Sequence, residues 1–122
     1  MDPMRRLPDS ELEIMLIIWD TDNQLSTSDI MQKLKGKKSV QLVQNYLNRL
    51  ESKMFIKCNK IGRLNHYTPL VEWKDYQKQE TISFVEKIYH NSPTKLFATL
   101  LESNSITQDD IAAIKKLLEE SE

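Results

Sequence analysis

The sequence predicts a mainly helical protein with one small β-hairpin. Two observations support this fold class. Apolar residues recur at helical spacing before residue 53 and again after residue 72. Between these stretches, two short runs rich in strand-forming residues, Phe55–Lys60 and Arg63–Pro69, flank a turn at Ile61-Gly62. The expected order is therefore three helices, the hairpin and three further helices.

The first two helices are expected to be short. Ser10 has capping-box spacing to Glu13, so it is the expected start of the first helix. The buried face of that helix is expected to carry Leu12, Met15, Leu16 and Trp19. Ser26 has the same spacing to Asp29 and predicts the start of a second helix, with Gly36 as its C-terminal glycine.

The third helix, expected from about Val40 to Lys53 with Ser39 as its N-cap, has two different faces. Its apolar face carries Val40, Val43, Leu47 and Leu50. A separate stripe, roughly 140° away on a helical projection, carries amides: Gln41, Gln44, Asn45 and Asn48. Glu and Lys are the usual residues of a solvated helix face, so four amides in this pattern indicate a recognition surface.

The net charge of −1 hides an uneven distribution. From Lys33 to Arg63 there are nine basic residues and a single acid, Glu51, whereas from Leu101 to Glu122 there are six acids and two bases. A basic middle segment favours a polyanionic partner. Charge alone is equally compatible with an ordinary solvated surface.

Three short helices followed by a two-stranded hairpin are typical of a winged helix-turn-helix, in which the third helix enters the major groove of DNA. Gln and Asn present a donor beside an acceptor, which matches the N6 and N7 edge of adenine. We therefore expect residues 1–70 to bind double-stranded DNA, with a protein-interaction module as the alternative. Bases are expected to be read by Gln41, Gln44, Asn45 and Asn48, and phosphates to be bound by Lys37, Lys38, Ser39, Lys60 and Arg63.

Arg49 lies between the two faces of the third helix. It is expected either to contact a phosphate or to pair with an acid such as Asp29, and we favour the structural role.

Residues 71–122 are predicted to form three helices whose apolar stripes would be left exposed on a lone chain. Self-association is the economical way to cover them, and a two-fold dimer matches a palindromic operator. The alternative is that these helices fold back on their own domain. The expected dimerisation residues are Phe84, Ile88, Leu96, Phe97, Leu100, Ile111, Ile114, Leu117 and Leu118.

No catalytic, metal or cofactor site is expected. Cys58 is the sole cysteine and is expected to be a buried or half-buried apolar residue in a strand, and His66 and His90 are far apart in the sequence. Two glycines are too few for a glycine-rich phosphate loop. Without a secretory signal or a run of about 20 apolar residues, the chain is expected to be cytoplasmic and not to insert into a membrane.

Several segments resemble the BlaI/MecI penicillinase-repressor family: Leu12–Trp19, Ser39–Leu50, Lys53–Lys57 and Tyr67–Pro69. The resemblance implies a homodimeric repressor of β-lactamase or related resistance genes that binds palindromic operators with TACA/TGTA-like half-sites. The copper-responsive CopY-type branch carries a cysteine-rich C-terminal motif, whereas this chain ends without cysteine. It therefore resembles the β-lactamase-repressor branch more.

The chain departs from this family at two places. Where the family commonly has a basic residue and then Thr, this chain has Gln41 and Leu42, and Leu42 is expected to touch a thymine methyl group. In family members a membrane sensor-protease system triggers cleavage at an Asn-Phe bond, and the aligned residues here are Thr99 and Leu100. Release by a small-molecule effector therefore stays open as an alternative.

Overall fold

A computed structural model describes residues 6–21 and 24–121. Residues 1–5, part of the N-terminus in which no secretory signal is expected, lie outside the described residues. In chain order the elements are α1 (Asp9–Trp19), β1 (Leu25–Ser26), α2 (Thr27–Leu34), α3 (Val40–Ser52), β2 (Ile56–Ile61), β3 (Leu64–Pro69), α4 (Trp73–Tyr89), α5 (Pro93–Glu102) and α6 (Gln108–Glu120). The predicted fold class is confirmed, with one added element, the short strand β1.

The strands form an antiparallel sheet in the order β1-β3-β2, so β3 is the central strand. Within it, Tyr67 lies opposite Leu25 of β1 on one side and Cys58 of β2 on the other. Ile61 pairs with Leu64, which makes Gly62 and Arg63 the two residues of the hairpin turn. Gly62 has φ +65°, a value that suits glycine at the first position of such a turn. The turn lies one residue later than expected.

The residues up to Glu80 form one compact unit. Val43, Leu47 and Leu50 of α3 are fully buried in its core, as the periodicity of this helix predicts. The expected burial of Val40 is wrong, since its side chain is 60% exposed. Val40 is the first residue of α3 and precedes the first buried position by three residues, so this end of the helix extends beyond the core.

The first helix differs from its expected start and its expected face. It begins at Asp9 after Pro8, and no side chain caps it, so the expected Ser10 cap is wrong. Its buried residues are Glu11, Ile14, Met15 and Ile18. Leu16 is exposed, because α1 carries apolar residues around most of its circumference and periodicity alone selects no single face.

Aromatic side chains attach the start of α4 to the first unit. The Trp19 indole donates to the backbone oxygen of Val71 over 2.8 Å, and the Tyr76 hydroxyl accepts from the backbone nitrogen of Leu7 over 2.9 Å. The Tyr76 ring lies 5.8 Å from that of Phe55 and meets it edge-on. These contacts explain why the compact unit reaches Glu80, beyond the expected domain boundary after residue 70.

The second unit, Thr81–Glu122, contains the end of α4 together with α5 and α6. Thr107 and Asp110 form a capping box at the start of α6. Positive φ values at His90, Asn91 and Asn104 accompany the two breaks between helices. None of the residues from 81 to 121 is buried. No helix in the described part of the chain has the length and apolar character needed to cross a membrane.

Candidate nucleic-acid interface

Short-range hydrogen bonds set the direction of α2 and α3. Ser26 and Asp29 cap each other at the start of α2, where the Ser26 backbone nitrogen donates to the Asp29 carboxylate over 3.0 Å. This bond, and then the Ser26 side chain, hold the pKa of Asp29 below its ordinary value. Lys35 and Gly36 both have positive φ and end α2 in a sharp turn. Ser39 then caps α3, as expected, by accepting from the backbone nitrogen of Leu42 over 3.2 Å.

The amide stripe of α3 is turned away from the core. Gln41, Asn45 and Asn48 are exposed, and Gln44 is half-buried. Gln44 Nε2 donates to Asn48 Oδ1 over 3.0 Å and to the Tyr67 hydroxyl over 3.2 Å. Leu42, beside the stripe, is also exposed. Amide side chains offer both donors and acceptors, the groups that base edges present in the major groove.

Most of the expected phosphate-binding residues are exposed. Lys37 and Ser39 lie in the turn before α3, Lys60 lies near the end of β2, and Arg63 lies in the hairpin turn. Lys38 differs from the rest. Its ammonium group lies 3.7 Å from Glu13 Oε1 and 5.9 Å from the centre of the Tyr46 ring, and its side chain is largely covered.

Arg49 lies over an aromatic ring, not beside Asp29. Its guanidinium carbon is 5.9 Å from the centre of the Tyr46 ring, and no ion pair of the described residues joins it to Asp29. The expected pairing with Asp29 is therefore not formed. The residue as a whole is exposed, so phosphate contact stays open to it.

Sequence reasoning missed a buried ion pair between α1 and the end of α3. Glu11 Oε1 lies 2.5 Å from Lys53 Nζ, and the Glu11 side chain is only 3% exposed. A usable signal was present in the sequence, because Glu11 lies at helical spacing from Met15 and Ile18 and hence on the buried face of α1. The partner lies 42 residues away, and no local rule identifies it.

The expected dimerisation residues lie on the second unit without being buried. Phe84, Ile88, Phe97, Leu117 and Leu118 are exposed, whereas Leu96, Leu100, Ile111 and Ile114 are half-buried. Between α5 and α6 lies an apolar groove of about 390 Å³, lined by Phe97, Leu101, Ile106, Ile111, Ile114, Lys115 and Leu118.

The aligned cleavage position, Thr99–Leu100, lies inside α5. The Thr99 hydroxyl donates to the backbone oxygen of Lys95 over 3.2 Å, within the helix.

Among the described residues, no group of three or more His, Cys, Asp or Glu side chains is arranged to hold a metal ion.

The helix pair, the outward amide stripe and the hairpin beside it define a winged helix-turn-helix protein. Comparison with known proteins makes the assignment more specific. The profile of the penicillinase repressor family matches residues 7–120, which is nearly the whole chain. The chain belongs to the penicillinase repressor family, and the resemblance seen in the sequence is confirmed.

Individual relatives agree with this assignment. The penicillinase repressor of Bacillus licheniformis is 28% identical over 122 residues, which cover 96% of this chain and 94% of that protein. The methicillin resistance regulatory protein MecI of Staphylococcus epidermidis is 27% identical and covers 89% of each chain. The solution structure of monomeric Bacillus licheniformis BlaI in complex with the blaP half-operator is 31% identical, with a TM-score of 0.50, and covers 60% of this chain and 90% of that one.

Proposed function

We propose that this protein is a transcriptional repressor that binds double-stranded DNA through α3 and the β2–β3 hairpin. The observation that carries the proposal is the exposed amide stripe of α3, bordered by the basic turn before that helix and by the basic tip of the hairpin. The solved complex of the relative BlaI with a half-operator supports it, because that structure is 31% identical to this chain and covers 60% of it.

In the proposed complex α3 lies in the major groove and the hairpin lies against the backbone or minor groove. Base edges are read by Gln41, Leu42, Gln44, Asn45 and Asn48. Phosphates are bound by Lys37, Ser39, Lys60 and Arg63, whose side chains are free to reach them. Lys38 contributes less to phosphate binding than the other lysines, because its ammonium group already lies beside the Glu13 carboxylate.

The repressor acts as a homodimer formed by the second unit. Several large apolar side chains in this unit are 42–65% exposed, as for Phe84, Phe97 and Leu117, and no residue from 81 to 121 is buried. The apolar residues of this unit are at most half-buried within it, so a partner surface that covers them adds hydrophobic stabilisation. A second copy of the chain provides that surface through two-fold symmetry. The resulting dimer carries two copies of α3, one for each half-site.

A two-fold dimer accounts for a palindromic operator with one half-site for each α3. By analogy with the relatives, the regulated genes are those of β-lactam resistance, and a membrane sensor-protease releases the repressor by cleavage at Thr99–Leu100. Because this bond lies inside α5, cleavage requires local unwinding of the helix first.

Selection of duplexes from a random pool by the full chain tests the DNA-binding proposal. We expect an enriched sequence with two inverted half-sites, bound about 1,000-fold more tightly than random DNA at physiological salt. Equal binding to selected and random duplexes would overturn sequence-specific repression and favour a protein-interaction module.

Sedimentation of two matched variants tests the dimer. Leu101→Glu introduces a charge into the α5–α6 groove and is expected to yield monomers. Thr99→Glu introduces the same charge on the opposite side of α5, at 100° per residue, and is expected to leave the dimer intact. A dimer that survives Leu101→Glu unchanged would contradict the use of this groove.

A further inference from the structure

An open cavity of about 250 Å³ lies on the first unit, where the end of α1 meets the start of α4. In the described part of the chain it is lined by Leu16, Trp19, Asp20 and Trp73. Its volume is below the roughly 300–1,000 Å³ of sites for drug-sized ligands, so it suits a small molecule. None of the residues expected to contact DNA lines this cavity, so its ligand is a separate question from the proposed function.

Two indole rings form an aromatic wall of the cavity. The ring centres of Trp19 and Trp73 lie 5.1 Å apart, with an angle of 49° between the ring planes. Trp19 is held in place, because its indole nitrogen donates to the backbone oxygen of Val71 over 2.8 Å and its ring centre lies 5.4 Å from that of Tyr76. Trp73 is 38% exposed. Accessible indole rings attract cations, because the faces of their π-systems carry negative charge.

Asp20 adds an uncompensated negative charge to the cavity. It is the residue that follows α1, it is exposed, and no ion pair of the described residues includes it. The C-terminal end of a helix already carries partial negative charge, so a carboxylate there is unfavourable and a cation is favourable. The last turn of α1 contains no basic residue. The end of α1 therefore lacks the positive charge that both its helix dipole and this carboxylate favour.

We propose that this cavity binds a small molecule that carries a guanidinium group. A guanidinium is planar, so it can stack on an indole ring while its N–H groups donate to a carboxylate. The cavity offers both kinds of group, the rings of Trp19 and Trp73 and the carboxylate of Asp20. A quaternary ammonium ion uses the rings alone, because it has no N–H to donate. An anion is repelled by the unpaired carboxylate.

Tryptophan fluorescence of the full chain tests this proposal, because the two tryptophans of the sequence both line the cavity. Methylguanidinium chloride is titrated at constant ionic strength, in parallel with methylurea, its neutral counterpart of similar shape, and with tetramethylammonium chloride. We expect a saturable change with half-saturation at roughly 1–10 mM methylguanidinium. The other two compounds should bind about 10-fold more weakly. A response to methylguanidinium that does not saturate, or equal affinities for methylguanidinium and methylurea, would overturn the proposal.

Two variants and a matched control assign the binding to this cavity. Asp20→Asn removes the charge, keeps the size of the side chain and should weaken methylguanidinium binding about 10-fold. Asp109→Asn, the same change at an exposed position in the first turn of α6, should leave the affinity unaltered. Trp73→Leu keeps Trp19 as the reporter and should weaken binding about 3-fold. Thermal unfolding shows that each variant is folded. An unchanged affinity in either Asp20→Asn or Trp73→Leu would overturn the proposal.

Discussion

Glu11 of α1 and Lys53, the residue that follows α3, form an ion pair with 2.5 Å between Oε1 and Nζ. The Glu11 side chain is almost completely buried, and the lysine is partly covered. This bond connects the first helix to the end of the helix that carries the amide stripe. It therefore helps to fix the direction in which the stripe faces.

The two partners of this pair are predicted to be unequal in their effect on stability. Lys53→Met leaves the Glu11 carboxylate buried without a partner and should lower the free energy of unfolding by about 3 kcal/mol. Glu11→Gln should cost less, because the lysine left behind can extend its ammonium group into water. Urea denaturation measures both values. A larger decrease in the free energy of unfolding for Glu11→Gln than for Lys53→Met would contradict the prediction that the unpaired Glu11 carboxylate is the more costly group.

The capping box of Ser26 and Asp29 at the start of α2 is expected to make the stability of the fold depend on pH in the acid range. Because hydrogen bonds from Ser26 lower the pKa of Asp29, the charged form stabilises the fold above the ordinary pKa of aspartate. This contribution is lost as the pH falls through the lowered value. The difference in unfolding midpoint between the wild type and Asp29→Ala should be greatest at neutral pH and should shrink below about pH 4.

A matched control for the cap is Asp75→Ala, an exposed aspartate in the first turn of α4. It should lower the unfolding midpoint less than Asp29→Ala at neutral pH. A difference for Asp29→Ala that stays constant from pH 7 to pH 2 would show that the carboxylate charge is not what stabilises the start of α2.

Replacing a base-reading residue and replacing a phosphate-binding residue are predicted to weaken DNA binding in different ways. The two effects should differ in how they depend on the DNA sequence and on the salt concentration. Asn45→Ala should weaken binding to the selected duplex by about 1–3 kcal/mol and leave binding to random DNA nearly unchanged. Lys60→Ala should weaken binding to all sequences alike and reduce the slope of log affinity against log salt by about 1. Equal effects of both changes on selected and random DNA would refute the division of roles.

Removal of α5 and α6 is predicted to separate DNA reading from dimerisation. A chain ending at Ser92 keeps the whole first unit and lacks α5 and α6. Sedimentation should show a monomer, and affinity for the palindromic duplex should fall by about 100-fold because two half-sites no longer bind as one unit. An unchanged dimer would place the dimer contacts before residue 93.

The features predicted correctly from the sequence are those governed by local rules. The capping box at Ser26 and Asp29, the Ser39 cap and the burial of Val43 and Leu47 all depend on residues within one or two turns. Their spacing is therefore sufficient to predict them.

The features that the sequence did not reveal depend on distant partners. Leu25 and Ser26 form a strand only because β3 lies beside them, and two residues carry no strand periodicity of their own. The hydrogen bond between Gln44 and Tyr67 joins residues 23 positions apart, so this contact between α3 and β3 emerges only with the fold.

The most direct test of DNA reading by the exposed face of α3 follows the side-chain amide resonances of the full chain during titration with the selected duplex. We expect the NH₂ groups of Gln41, Asn45 and Asn48 to shift, together with the backbone of the hairpin turn at Gly62. Shifts confined to the exposed surface around Leu16 and Trp73, with the α3 amides unmoved, would contradict the account.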